Sequence, residues 1–480
     1  MLFDFNKQTA TNRKYDVCIV GTGPAGITLA RKLSKFGKKV VLLEAGGLDY
    51  SEESQDFYDC ESVGHDGWPK FTRLRYFGGT SNHWSGRCRP FDSSDFDVRK
   101  INGLPGWPIR YTAIKPYLKE AMEILDLNTG KGFKPINEDL LKRDFSPDVF
   151  SKSPPTRFKG KYLSEIDNTQ NIDCFYNATA TDLKLDTSHG SVTSIQISNY
   201  KNYKANISAN KFVLCLGGIE TPRFMLNCNS QIKTGIGNEE DMVGRCFMEH
   251  LNVPMGSFLY KDSHDISSLQ FTSDDDFTFK NSIGKSNISL GIVSKVKSYG
   301  RTQAIKNFFK NLSCQMEIED KVQFISNFKC PGMGSIGTLI EQSPNLESRV
   351  SLSQLTDKFG SKRAKFNWNI NDYDKKTIRQ TGLAMAAEFS RVGLGTVRLT
   401  DFMLNESLDI QFGHHNHHMG TTRMSNDPKY GVVDGNSKVH TLDNLYIAGS
   451  SVFATSGACN PTMPIIQLTL RLADHLQSQT

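Results

Sequence analysis

Four histidines lie within five residues of this chain, which makes the segment its densest group of side chains able to do chemistry. They are His414, His415, His417 and His418. An imidazole with an ordinary pKa of ~6.5 can accept a proton near neutral pH, and a neutral one can bind a metal ion. Neighbouring residues of an extended strand point to opposite faces, and no set of Cys, Asp or Glu lies beside them at ligand spacing. We therefore expect no metal site, and we expect His414, His415 and His418 to be hydrogen-bonded packing residues.

A glycine-rich segment near the N-terminus has the spacing of a phosphate-binding turn. The apolar run Tyr15–Val20 predicts a buried strand, and a helix is predicted over 27–36. The glycines between them are Gly21, Gly23 and Gly26. Gly21 permits the turn, Gly23 allows close approach to a pyrophosphate, and Gly26 allows helix and strand to pack. The helix N-terminus then offers unpaired N–H groups to the anion.

Glu44 ends the next predicted strand, eighteen residues after Gly26. Its carboxylate is placed there to accept the ribose hydroxyls of an adenine dinucleotide. An acidic residue favours NAD or FAD over NADP, whose 2′-phosphate prefers arginine. Because strand, glycines, helix, strand and acid occur in the required order, the sequence predicts a bound adenine dinucleotide. These residues alone leave NAD and FAD both open.

Composition and patterning predict an α/β protein without a nucleic-acid partner. The 480 residues are 38% hydrophobic and 22% charged, with a formal net charge of +6. The mildly basic stretch 301–310 is interpreted as a solvated helix face, because no Lys/Arg block of a nucleic-acid-binding tail occurs. Strand-glycine-helix patterns recur over 14–90, 205–250 and 444–477. Alternating segments at 348–353 and 364–368 predict half-exposed strands of an antiparallel sheet, inserted between the last two blocks.

Cysteine spacing and the N-terminus predict a cytoplasmic location. Ten cysteines show no C-x-x-C motif, which removes support for zinc ribbons and thioredoxin-like chemistry. Residues 1–13 are polar, without the apolar core of a targeting signal, and no apolar run approaches the ~18 residues that span a membrane. We therefore expect reduced thiols and no membrane span.

Five segments, in order, resemble the glucose–methanol–choline (GMC) family of FAD oxidoreductases along nearly the whole chain. They are 21–44, 76–84 (YFGGTSNHW), 214–222 (LCLGGIETP), 243–250 (VGRCFMEH), and 417–424 (HHMGTTRM) with 444–462. The resemblance implies a Rossmann-like FAD-binding domain of the GMC type, with an inserted α+β substrate domain built on an antiparallel sheet. We expect the FAD-binding domain to comprise 1–95, 160–250 and 412–480, and the substrate-binding domain to comprise 96–159 and 251–411.

The same resemblance implies FAD as the cofactor and a set of residues around it. Gly78 and Gly79 are expected to bring bare backbone against the flavin or pyrophosphate, and Gly217 and Gly449 to make further approaches. The helix after Pro461 would aim its N–H groups at the pyrimidine end of the flavin. The expected cofactor-binding residues are Gly21, Gly23, Pro24, Ala25, Gly26, Glu44, Gly78, Gly79, Ser81, Asn82, His83, Gly217, Gly449, Ser450, Asn460, Pro461 and Thr462.

The run around His83 resembles the Gly-Gly-x-Ser-Thr-His-Trp of pyranose oxidases, in which the histidine bonds to the flavin 8α-methyl carbon. Asn82 stands where those enzymes have Thr. A neutral imidazole nitrogen can attack an electrophilic methide, but a histidine packed beside the flavin without a bond is the alternative. The sequence leaves covalent and non-covalent flavin both open. The flanking Arg75, Arg87 and Arg89 are interpreted as salt-bridging residues.

His417 and Asn460 occupy the catalytic positions that the resemblance implies. His417 lies three residues before Gly420, where the family places its active-site base, and Asn460 matches the partner position. Oxidising an alcohol requires the hydroxyl proton to leave while hydride moves to flavin N5. The implied activity is oxidation of a CH–OH group of a sugar, glycoside or polyol, with oxygen or another electron acceptor. A non-sugar alcohol oxidase and a non-redox lyase that keeps its FAD are the alternatives.

Overall fold

Two large sheets organise the part of the chain that the structure describes. The computed structural model describes residues 1–7, 13–65, 72–97, 100–130, 133, 141, 143–260, 269–292, 312–314, 318 and 333–479. The basic stretch 301–310 lies outside these ranges. No helix within them is long and apolar enough to cross a bilayer.

The first sheet has six parallel strands. In spatial order they are Leu2–Asp4, Ile172–Tyr176, Val40–Leu43, Tyr15–Val20, Ala209–Leu214 and Leu445–Ile447. Their sequences are apolar runs because both faces of the sheet are covered. Alternate residues face two separate cores: Ile19 packs with the helices on one face, and Cys18 packs on the other face with a three-stranded sheet. The strands of that small sheet are Thr179–Leu185, Val192–Ser198 and Lys204–Ile207.

The second large sheet is antiparallel and has eight strands. Six follow one path, in the order Gly395–Leu399, Gly256–Tyr260, Met333–Ile340, Ser286–Ile292, Gln270–Ser273 and Phe145–Pro147. Two short strands pair off this path, Leu251–Asn252 and Gly413–His414. Among the described residues, no strand of the parallel sheet comes from 96–159 or 251–411. The expected domain boundaries themselves stay a prediction.

A second three-stranded sheet differs from what the sequence predicted. Arg349–Thr356 and Lys362–Trp368 pair antiparallel, as their alternation indicated, but they are not part of the large antiparallel sheet. Instead Cys60–Gly64 joins them, parallel to Lys362–Trp368. Alternation specifies which face of a strand is buried, not which strand lies beside it, so this partner could not be predicted. The remaining strands form two short pairs, Arg87–Cys88 with Ser151–Lys152 and Lys100–Ile101 with Leu104–Pro105.

Nine α-helices lie wholly within the described ranges. They are Pro24–Lys35, Glu52–Gln55, Leu118–Ile124, Phe158–Asn168, Gly217–Asn227, Asp275–Asn281, Asp372–Arg391, Asp401–Leu404 and Thr462–Ser478. The first begins three residues before the predicted start, because proline is well suited to the first turn of a helix. The expectation of reduced thiols is wrong at Cys314, which is disulfide-bonded; a disulfide requires no fixed spacing of its cysteines along the chain, so spacing did not predict it.

Candidate active site

A cavity of about 530 Å³ lies at the carboxyl end of the parallel sheet. It is lined by the segments that follow four of the six strands, as expected for a nucleotide site in this class of sheet. Most of the residues predicted to bind a cofactor line it. They are Gly21, Gly23, Pro24, Ala25, Glu44, Gly79, Ser81, His83, Gly217, Gly449, Ser450, Asn460, Pro461 and Thr462.

Three helices begin at this cavity, and none has a side-chain cap. They are Pro24–Lys35, Gly217–Asn227 and Thr462–Ser478, here called the Pro24, Gly217 and Thr462 helices. The first N–H groups of a helix lack intrahelical partners, and its N-terminus carries a partial positive charge. Three uncapped N-termini around one cavity therefore suit an anionic ligand with donors to satisfy, such as a dinucleotide pyrophosphate.

Two pairs of glycines leave the space that such a ligand needs. A Cβ on Gly23 or on Gly217 would meet no heavy atom within 4 Å, so it would project into the cavity itself. A Cβ on Gly79 would lie 3.6 Å from the Gly23 Cα, and one on Gly449 would lie 4.0 Å from the Gly217 Cα. Side chains at any of these positions would fill the cradle between the helix N-termini, so the residues present fit a bound dinucleotide.

Glu44 is nearly buried, and its carboxylate already holds the turn before the Pro24 helix. Its Oε2 accepts hydrogen bonds from the Thr22 hydroxyl and, at 3.3 Å, from the Thr22 N–H. Its Oε1 accepts the Gly46 N–H at 2.8 Å. A carboxylate offers about four acceptor positions, so Oε1 retains one for a ribose hydroxyl, the role predicted for this residue.

A bulge brings the histidine segment to the cavity. Met248 pairs with Met419 and Leu251 pairs with His414, both antiparallel. Two residues separate these pairs on one strand and four separate them on the other, so the second strand bulges outward. Asn416 within the bulge adopts a positive φ of 64°, which asparagine tolerates better than most residues.

Glu249 satisfies the N–H groups that the bulge removes from the ladder. Both oxygens of its carboxylate accept the His417 N–H, at 2.8 and 2.7 Å, and Oε1 also accepts those of His250 and His415. The side chain is fully buried, and burial raises the pKa of the Glu249 carboxyl to about 8, although these N–H donors oppose the rise. One buried acidic residue therefore anchors the whole turn.

His417 is partly exposed to the cavity and contacts two polar side chains. Its Nε2 lies 3.3 Å from the Asn460 amide nitrogen, and its Nδ1 lies 2.8 Å from the His250 Nδ1. Lost hydration lowers the pKa of the His417 imidazole well below its ordinary value, and electrostatic interaction with His250 and other basic neighbours lowers it further. The ring is therefore neutral at neutral pH, as a proton acceptor must be.

Family models match two parts of the chain. Residues 344–469 match the model described as GMC oxidoreductase, and residues 14–60 match one described as an FAD binding domain. The second match covers the glycine turn and Glu44, and the first covers the histidine bulge and Asn460. The chain belongs to the GMC oxidoreductase family. It is an FAD-dependent oxidoreductase acting on CH–OH donors.

Relatives of this GMC oxidoreductase are distant in sequence. A fructose dehydrogenase large subunit from Gluconobacter japonicus is 22% identical over 548 residues, covering 96% of this chain and 97% of that one. A pyranose 2-oxidase from Tricholoma matsutake is 39% identical over only 62 residues, 13% of this chain and 11% of that one. The crystal structure of pyridoxine 4-oxidase from Mesorbium loti has a TM-score of 0.60 at 17% identity, covering 96% and 99% of the two chains, and shows the same fold.

Three of the predicted cofactor residues lie outside the lining of the GMC cavity. A Cβ on Gly26 would lie 1.9 Å from the Gly21 carbonyl oxygen, so this glycine allows helix and strand to pack, as predicted. A Cβ on Gly78 would approach the Asn82 side chain and the Lys159 nitrogen at 2.8 Å. Asn82 donates to the Phe77 carbonyl at 2.8 Å. Gly78 and Asn82 thus shape the loop that carries Gly79 and His83.

His83 is exposed to the cavity and is held by a neighbouring tyrosine. Its Nε2 lies 2.8 Å from the Tyr76 hydroxyl. Of the flanking arginines, Arg87 and Arg89 share the buried Asp148 carboxylate, each at 2.6 Å, as the salt-bridge interpretation expected. Arg75 instead donates to the Tyr200 and Thr179 hydroxyls, both at 2.8 Å, and to nearby oxygens.

Two of the histidines expected to be hydrogen-bonded packing residues, His415 and His418, have defined neighbours. The His415 Nε2 lies 2.8 Å from the Thr338 carbonyl oxygen, and the His418 ring stacks on Phe247 at 6.2 Å. Glu249 and His250, in contrast, were not predicted to take part in the site. Both residues stand in the 243–250 segment, one of the five that resemble the family. That resemblance was the one signal in the sequence that could have pointed to them.

A three-residue group in the described part has the composition of a metal site. Glu249, His250 and His417 each bring one ligand atom within 4.8 Å of the others. Hydrogen bonds account for all three: the two imidazoles bond to each other, and the carboxylate accepts backbone N–H groups. The sequence did not predict this cluster, because Glu249 lies far from the histidines along the chain.

Proposed function

We propose that this enzyme oxidises a secondary or primary hydroxyl of a sugar, glycoside or polyol, with His417 as the base. The observation that carries the proposal is the His417–Asn460 pair, 3.3 Å apart at the cavity that fits the dinucleotide. The His417 Nε2 would accept the hydroxyl proton, and the Asn460 amide would donate to the same oxygen and orient it without titrating. The bound FAD supplies the acceptor for the hydride and its two electrons.

The lowered pKa of His417 suits this role in a definite way. A neutral imidazole is required before the reaction, and the cationic form appears only as the proton arrives. The carbonyl product carries no charge, so the site must tolerate one new positive charge on His417. The uncapped N-terminus of the Thr462 helix lies at the cavity, where it would favour the negative charge that the transferred hydride brings to a bound flavin.

The carbohydrate class is supported by the polar lining and by similarity. Asn416 and Arg87 face the same cavity as His417 and offer donors to a polyhydroxylated substrate, and His415 also lines the cavity. Whole-length similarity to a protein named fructose dehydrogenase points the same way. The short match to a pyranose 2-oxidase supports the flavin loop alone.

Anaerobic flavin reduction tests substrate class and base together. We expect sugars, glycosides or polyols to bleach the yellow holoenzyme, and His417→Ala to slow this bleaching by ~10²–10⁴, the range for a positioned acid–base group. Asn460→Ala should cost less, because it removes one hydrogen bond and no proton acceptor. His440→Ala, outside the cavity lining, is the control. Bleaching by non-sugar alcohols alone would overturn the substrate class, and substrate cleavage without bleaching would identify a lyase.

A separate question about the cofactor is whether the flavin is covalently bonded to His83. We infer a flavin that is not covalently bound, because the Tyr76 hydroxyl occupies the His83 Nε2 at 2.8 Å and that bond would compete with attack from this nitrogen. Acid precipitation should therefore release the yellow colour from wild type and from His83→Ala alike. Colour that stays in the wild-type pellet and leaves the variant's would establish the covalent bond.

A further inference from the structure

The geometry points to His250 as the residue that decides which ring nitrogen of His417 is free to accept the substrate proton. His250 is fully buried and is absent from the cavity lining, so it is a positioning residue that acts through His417. This inference rests on the proposed function of His417 as the base. It adds a requirement that base identity alone does not include, namely that the lone pair be on Nε2.

The hydrogen-bond partners of His250 assign its tautomer. Its Nε2 lies 2.9 Å from the Gly457 carbonyl oxygen and 3.3 Å from that of Ser456. Carbonyl oxygens only accept, so the Nε2 carries the hydrogen. Burial lowers the pKa of His250 to about 3, so at neutral pH the ring has a single N–H. The His250 Nδ1 therefore presents a lone pair to His417.

That lone pair assigns the tautomer of His417 in turn. Because the His250 Nδ1 can only accept, the contact of 2.8 Å requires the His417 Nδ1 to donate. A neutral imidazole has one N–H, so the His417 Nε2 holds a lone pair, which meets the Asn460 amide donor at 3.3 Å. The opposite tautomer would oppose two lone pairs across 2.8 Å and two donors across 3.3 Å. Both contacts thus favour the tautomer of His417 in which the Nε2 can accept a proton.

Glu249 keeps the two rings in register. Its carboxylate binds the backbone N–H groups on both sides of the contact, those of His250 and His417. The two rings stand almost perpendicular to each other, at 87°. The titratable and charged groups that face His417 are Glu249, His250, His415, His418 and Arg87.

Two substitutions separate tautomer control from packing. His250→Leu removes the acceptor, which allows the inactive tautomer of His417 and leaves its cation with an unpaired N–H. We expect anaerobic flavin reduction to slow about ten- to hundred-fold, the range for loss of a partner that orients a functional imidazole. The acid limb of its pH profile should move to lower pH, because the cation loses a hydrogen bond while the neutral ring can change tautomer. His250→Asn places an oxygen where the Nδ1 stood and should recover much of the rate.

The controls make each outcome decisive. His440→Leu, outside the cavity lining, should leave rate and profile unchanged, and FAD content per chain is measured for every variant. If His250→Leu loses its FAD, His250→Asn is compared with His250→Gln, whose amide reaches the Nε2 position instead; the Asn variant should be the faster. A wild-type rate and limb in His250→Leu, or equal rates for Asn and Gln, would overturn the inference.

Two further measurements distinguish the possible failures. A wild-type rate in His417→Ala would remove the proposed function, and with it this inference. A slow His417→Ala beside a normal His250→Leu would remove the inference alone. Metal analysis of the holoenzyme tests whether the cluster of Glu249, His250 and His417 is a metal site instead. One metal ion per chain in wild type, lost in His250→Leu, would show that the cluster binds a metal and would overturn the inference.

Discussion

A single methyl group at Gly23 should separate cofactor binding from folding. Gly23 precedes the Pro24 helix with φ −71° and ψ −173°, an extended conformation that alanine adopts without strain. No heavy atom lies within 4 Å of the position of the added Cβ. Gly23→Ala should therefore leave the free energy of unfolding of the apoprotein unchanged, or raise it by ~0.4–1 kcal/mol because the unfolded chain loses freedom.

The same methyl group should weaken FAD binding. It would occupy the space between the uncapped N-terminus of the Pro24 helix and the Gly79 loop, where the pyrophosphate must approach the N–H groups. One extra methyl in a filled site costs ~1–3 kcal/mol, which corresponds to a rise of about 5- to 150-fold in the dissociation constant of FAD. Equilibrium dialysis of FAD and urea unfolding of the apoprotein measure the two effects separately.

Two other glycines serve as matched controls. Gly160 lies within the helix Phe158–Asn168, and its Cβ would make only an ordinary contact, 3.9 Å from the Arg157 Cβ. Gly160→Ala should raise the free energy of unfolding of the apoprotein by ~0.5–1 kcal/mol, because alanine has the higher helix propensity, and should leave FAD affinity unchanged. Gly26→Ala should instead destabilise the apoprotein, because its Cβ would lie 1.9 Å from the Gly21 carbonyl oxygen. Wild-type FAD affinity in Gly23→Ala would refute the placement of the cofactor.

Three further predictions concern the histidine bulge. Because lost hydration holds the pKa of His417 well below its ordinary value, protonation of His417 should slow flavin reduction only below pH ~6.5; an acid limb centred at or above that pH would contradict the mechanism. Glu249→Ala leaves several buried N–H groups unpaired, each costing ~1–3 kcal/mol. In urea unfolding of the holoenzyme, this variant should therefore lose more free energy of unfolding than Glu249→Gln, which keeps one carbonyl acceptor; equal losses would contradict the anchoring role. Because Asn416 has a positive φ of 64°, Asn416→Val should lower the free energy of unfolding by ~1–2 kcal/mol, and Asn416→Gly should lower it much less, in the same urea measurement. The reverse order would rule out backbone strain.

The nucleotide half was predictable because its signals are local. Gly21, Gly23 and Glu44 belong to one strand-helix-strand unit, so their spacing along the chain is also their arrangement around the helix N-terminus. The structure lines the cavity with all three. The antiparallel sheet was predictable only as a class, because alternation indicates strands but leaves their partners open, as the pairing of Cys60–Gly64 shows.

The environment of His417 could not be predicted in this way. His250 and His417 are 167 residues apart, and their contact depends on the pairing of Leu251–Asn252 with Gly413–His414. Strands of two residues are too short to produce a periodic pattern. No acidic residue lies beside the histidines along the chain. In the folded structure, however, Glu249 lies next to them and binds the bulge.

The backbone around His418 holds His417, the proposed base, in position relative to the dinucleotide cradle. The His418 carbonyl accepts the Ser450 hydroxyl at 2.6 Å, and a Cβ on Gly218 would lie 2.3 Å from the same oxygen. The Thr421 hydroxyl donates to the Gly218 carbonyl at 2.6 Å. Gly218 lies in the first turn of the Gly217 helix, and Ser450 follows Gly449, so both anchors belong to turns that shape the dinucleotide cradle. A shift of the histidine segment would therefore require a shift of the cradle, so backbone packing sets the position of His417 relative to the cradle.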